Sequence, residues 1–106
     1  MAIDSNIRKK IKKYIREVQK NQIQIIKAYL YGSYAKGTAS PESDIDLAII
    51  SPDFSGNRYF DSLKIIPFRR KIDNRIEPVT FKPEDFNESD PLAAEIKNTG
   101  IEIKQS

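Results

Sequence analysis

The sequence predicts an α+β fold, a small mixed β-sheet flanked by helices. Short β-prone apolar runs at 25–31, 44–50 and 75–81 alternate with stretches of helical period at 5–20, 58–71 and 91–98. Clusters of Gly, Pro, Ser and Asp separate them, with no repeat, linker or low-complexity tract between. The 106 residues, 39% hydrophobic and 31% charged, suit one ordinary domain with a small core, so residues 1–106 are read as a single domain.

Each element has a local cause. Asp4 or Ser5 can cap the first helix, in which Ile7, Ile11, Tyr14, Ile15 and Val18 fall on one face. Ile25 to Tyr31 reads as a strand ended by Gly32, and 34–39 as a short helix with Ser33 at its cap. Pro41-Glu42-Ser43 makes a turn into a second strand, Asp44 to Ile50, which Ser51-Pro52 closes. After a loop at 52–57, Arg58 to Lys71 is helical in pattern, but Pro67 must kink or split it. Arg75 to Phe81 reads as a third strand, and Pro78 places it at a sheet edge or a bulge because it cannot donate to a ladder. A polar loop at 83–89 leads to a helix that starts on Pro91 and stops at Gly100, and 101–104 reads as a last short strand.

Composition excludes several chemistries. The chain has no His and no Cys, which removes Ser-His-Asp triads, His or Cys metal sites, thiolate catalysis and disulfides. Carboxylates, hydroxyls, Lys, Arg and bound ions remain. No apolar run approaches the ~20 residues of a membrane span, and no secretory signal is visible, so a reducing cytoplasm is the expected compartment. Charge is uneven. Residues 1–20 carry Arg8, Lys9, Lys10, Lys12, Lys13, Arg16 and Lys20 against Asp4 and Glu17, within a chain of net charge +3. A solvated lysine-rich helix face is the favoured reading. An acidic protein partner is the functional alternative; nucleic acid is disfavoured, because there is no Trp and no evident aromatic platform.

The chemistry concentrates in 31–47. Asp44 and Asp46 stand two apart on a predicted strand, so both leave one face with Cα atoms roughly 7 Å apart. Held that close they repel, and a divalent cation relieves the repulsion. Oxygen donors without His or Cys point to Mg²⁺ or Mn²⁺. Asp-x-Asp alone is also ordinary turn chemistry. Gly32-Ser33, between a strand and a helix start, makes a phosphate seat from backbone N–H groups and a hydroxyl. Gly32 and Gly37 have P-loop spacing, but Thr38 stands where the P-loop Lys must be, which rejects that motif. Lys36 is a candidate phosphate contact, although an exposed helix lysine is the simpler reading. Glu77 joins the aspartates if the third strand lies beside the second, and is favoured over Asp73, which sits in the preceding turn.

Gly32-Ser33, ten intervening residues and Asp44-Ile45-Asp46 resemble the G-S-x10-D-x-D signature of nucleotidyltransferases with the polymerase-β-like fold. The short length resembles the minimal nucleotidyltransferase subgroup, antitoxins often encoded beside a HEPN-domain protein. The order of elements through Arg75-Ile76-Glu77-Pro78 is similar over most of the chain. The third family carboxylate is commonly Asp, and here it is Glu77. The resemblance implies that Asp44, Asp46 and Glu77 are catalytic and hold Mg²⁺, and that Gly32 and Ser33 hold the β- and γ-phosphates of ATP. It implies AMP transfer to a Tyr of a HEPN ribonuclease toxin within a hetero-oligomer. The competing class is a partner-binding module that sequesters the HEPN protein with little or no catalysis.

Overall fold

A computed structural model describes residues 3–104. Its order is α1 (Ser5–Lys20), β1 (Lys27–Tyr31), α2 (Ser33–Lys36), β2 (Ile45–Ile50), α3 (Arg58–Ile65), a 3-10 helix (Ile66–Lys71), β3 (Ile76–Phe81), a 3-10 turn (Pro83–Asp85), α4 (Pro91–Thr99) and β4 (Ile101–Glu102). The strands form one sheet in the order β3-β2-β1-β4. β1 runs antiparallel to β2 and β4, whereas β2 and β3 are parallel, so the sheet is mixed as expected. Parallel neighbours need a long crossover, and α3 with its 3-10 extension supplies it. β3 is the edge strand that Pro78 called for.

Strand alternation gives the sheet two different faces. Ala28, Leu30, Ile45, Leu47, Ile49 and Ile76 pack against the apolar face of α1 in the larger core cluster. Ala48, Ile50 and Phe81 point the other way, onto Phe86 and onto Ala93 and Ile96 of α4. Asp4 is the cap of α1, accepting from the Asn6 and Ile7 amides. Tyr14, fully buried, donates its hydroxyl to the Ile65 carbonyl at 2.7 Å and ties α1 to the end of α3. The helical pattern does split at Pro67, into α3 and the 3-10 helix.

Three expectations shift. Ser33 is the first residue of α2 rather than its cap; the cap is Gly32, at φ +74° and ψ −149°. α2 is one turn long and ends at Lys36, because Gly37 takes a left-handed φ of +76°. Gly100 does stop α4, but its φ of −79° is ordinary. A Cβ there would lie 2.5 Å from the Ile96 carbonyl oxygen, so close approach, not a left-handed turn, selects glycine.

Candidate active site

The register of the sheet assembles the site. Asp46 on β2 is level with Tyr31 on β1 and with Glu77 on β3. Paired residues of adjacent strands share a face, so Tyr31, Asp46 and Glu77 form a row on the face opposite α1. Ala48 and Ile50 continue that face under α4. The row is polar, and apolar packing begins one pleat along.

Gly32 closes the site from the β1 side. A Cβ on Gly32 would stand 2.2 Å from Asp46 Oδ2. The carboxylate therefore rests against bare backbone at the turn where α2 begins. Ser33 follows, half-buried, with Ala35 and Lys36 donating their amides back to the Gly32 carbonyl. The first N–H groups of any helix lack an intrahelical acceptor, which leaves those of Ser33 and Tyr34 to the site. Lys36 is exposed at the far end of α2. Asp44 is exposed and precedes β2 by one residue. It thus lies in the approach loop rather than on the strand.

Electrostatics marks Asp46 as the strained member. Burial raises its pKa, and the charges of Asp44 and then Glu77 raise it further. Tyr31 is pushed up to about 12, first by burial and then by the charge of Asp46. An excess of negative charge on oxygen donors is what a hard divalent cation relieves, so Asp44 and Asp46 fit such an ion. Glu77 is also held by an arginine. Arg69 of the 3-10 helix donates through Nη1 to Glu77 Oε1 at 3.2 Å and to the Ile76 carbonyl at 2.7 Å. Among the described residues no group of three acidic side chains is gathered closely enough to hold a metal ion as it stands.

Asp73, the competitor for the third carboxylate, does other work. Arg75 donates to it through Nε and Nη2, and Lys10 of α1 donates at 2.9 Å. The Arg75 hydrogen bonds hold its carboxyl far below the usual carboxylate range. Arg75 also reaches the Tyr34 hydroxyl at 2.9 Å and the Pro41 carbonyl at 2.7 Å. It therefore pins both α2 and the loop that presents Asp44. Sequence reasoning missed Arg69, Arg75 and Tyr31. Alternation from Asp46 through an antiparallel pairing would have found Tyr31; no local pattern announces the two arginines.

The nucleotidyltransferase domain model matches residues 8–103. No curated protein matches the chain. Among solved structures, a toxin–antitoxin crystallised with AMP-PNP superposes with a TM-score of 0.63 at 21% identity, over 93% of this chain and 73% of that one. A Sulfolobus solfataricus protein provisionally named a nucleotidyltransferase gives 0.61 at 19%, over 92% and 81%. A mutant of the toxin–antitoxin MntA-HpeT gives 0.58 at 23%, over 89% and 72%. At these identities the likeness establishes a shared fold.

Proposed function

The chain belongs to the nucleotidyltransferase domain family, and from that premise we propose that it moves AMP from ATP onto a hydroxyl. The acceptor we infer is a Tyr of a HEPN-domain ribonuclease toxin, silenced by the modification, which makes the chain a cytoplasmic antitoxin. The observation that carries this reading is the Asp46 carboxylate, packed on Gly32 and level with Glu77 across the parallel β2–β3 pair. Solved toxin–antitoxin structures of the same fold, one crystallised with AMP-PNP, support a toxin partner and a nucleotide substrate. No described helix is long and apolar enough to cross a membrane.

Asp44 and Asp46 would hold Mg²⁺ or Mn²⁺, with Glu77 as the third ligand. Such an ion, when bound, neutralises charge on the phosphates and on departing pyrophosphate. Gly32 lets the β- and γ-phosphates approach the backbone, Ser33 donates its hydroxyl to them, and Lys36 adds a positive charge. The acceptor oxygen attacks the α-phosphorus, its bond to phosphorus forms as the α–β bridging bond breaks, and pyrophosphate leaves. Where it does not serve as a ligand, Glu77, half-exposed and without a His to compete with it, is the carboxylate that would accept the acceptor's proton.

The second reading, a sequestering module, draws on one observation, the commitment of Glu77 to Arg69. Labelled ATP, Mg²⁺ and the HEPN partner separate the two. The enzyme labels the partner, and the label is lost with Asp46→Asn or with Phe at the acceptor Tyr. A stable complex that never takes label, under conditions where ATP is bound, sinks the enzyme and leaves the module.

A further inference from the structure

We propose that Arg69 is a latch on the third carboxylate: it parks Glu77 away from the aspartates and must release it before the acidic site can close on a divalent cation. This rests on the nucleotidyltransferase reading of Asp44, Asp46 and Glu77, and adds a residue outside them that sets when the site is complete.

Glu77 has two possible partners. Across the parallel pairing it is level with Asp46, one strand away. From the other side it is held by Arg69 Nη1 at 3.2 Å. The same nitrogen donates to the Ile76 carbonyl at the shorter distance of 2.7 Å. The guanidinium is thus anchored by main chain and stays in place when the carboxylate leaves. Arg69 comes from the 3-10 helix that the split at Pro67 creates, and that helix delivers it beside the edge strand. The extra methylene that distinguishes Glu from Asp gives Glu77 the reach to Arg69.

Charge explains the parked state and its release. Brought closer to Asp46 without a cation, Glu77 would crowd a third negative group onto two that already repel. Arg69 offers a positive partner in that state. The pair is solvent-accessible, with side chains 24% and 49% exposed. Ion pairs at such positions are weak, so a cation seated on the aspartates can draw Glu77 over. Arg69 is therefore a positioning residue that taxes cation binding.

The test is Mn²⁺ affinity of the full chain, read from the free-ion EPR signal, with circular dichroism on each variant. Asp46→Asn is expected to weaken binding. Arg69→Gln is expected to tighten it by about two- to fivefold, the factor a partly exposed ion pair supports. Arg69→Lys keeps a cation near Glu77 and is expected to stay near wild type. The Arg69→Gln gain is expected to vanish in a Glu77→Gln background. Glu77→Asp, too short for Arg69, is expected to tighten binding with Arg69 intact, an arm independent of how Arg69 variants fold. Affinity unchanged or weaker in both Arg69→Gln and Glu77→Asp overturns the latch. So does an equal Arg69→Gln gain in the Glu77→Gln background, which reports bulk charge alone. Failure of Asp46→Asn to weaken binding overturns instead the site reading beneath it.

Discussion

Asp46 is a carboxylate that the fold holds at a cost. Its folded pKa lies above the unfolded value through burial, Asp44 and Glu77. Between those two values the folded state binds more protons, so stability falls as pH rises through the raised pKa. Asp46→Asn is accordingly expected to raise the melting temperature at pH 7 and to give no gain near pH 3, while abolishing transfer. Thermal scans at both pH values check this, and destabilisation at pH 7 would contradict it. Gly32→Ala is expected to cost at least about 1–3 kcal/mol from backbone strain alone, because only glycine readily takes its φ and ψ. The Cβ would also displace Asp46 Oδ2, so nucleotide binding should fall with stability in urea titrations and ATP binding assays. Gly32, Ser33 and the aspartates were legible in the sequence because their relation is local, a turn followed by a spaced pair. Arg69 was not, since its partner is fixed by how a 3-10 helix passes an edge strand.

At the scale of elements, the segment between α2 and β2 is held from outside. Asp73 orients Arg75, and Arg75 reaches Tyr34 and Pro41. Asp73 is nearly buried, with a side chain 10% exposed. Asp73→Asn is therefore expected to cost about 1.5–3 kcal/mol, the range for hydrogen bonds to charged groups. Its folded pKa is depressed, chiefly by the Arg75 hydrogen bonds, so this stabilisation is complete above about pH 4 and fades as pH falls toward the folded value. Urea unfolding at pH 7, 4 and 3 should show the gap between wild type and variant closing on the acid side. A constant gap would assign the loss to packing. The type of the main helices and strands was legible, because period, Pro67 and Pro78 each acted locally, but the stretch read as a loop at 83–89 opens with a 3-10 turn. The ends of α2 and β2 were less legible. Asp44 alternates with Asp46 in sequence, yet the ladder begins only at Ile45, where its amide donates to the Arg75 carbonyl at 2.7 Å.

At the scale of the whole molecule, the sheet separates two charge regimes. The acidic row of Asp46 and Glu77 lies on one face, and α1 packs on the other. The basic helix therefore packs on the face opposite the acidic row, with Lys10 near its start tied to Asp73. Its lysines also differ in duty. Lys10 holds Asp73 at 2.9 Å, whereas Lys9 and Lys13 are exposed. Reversing Lys10 would mix a stability defect into any binding measurement, so the informative variant is Lys9→Glu with Lys13→Glu. If α1 steers an acidic partner, this variant should slow association by about tenfold at low salt, the lower end of electrostatic steering. The difference should fade as added salt shortens the screening length to a few ångströms. ATP affinity and melting temperature should stay at wild-type values, because neither side chain enters the core or the acidic row. Stopped-flow association across a salt series, alongside ATP titration, reads both quantities. An unchanged association rate would return α1 to a solvated face, and a drop in ATP affinity would show that the two faces are not independent.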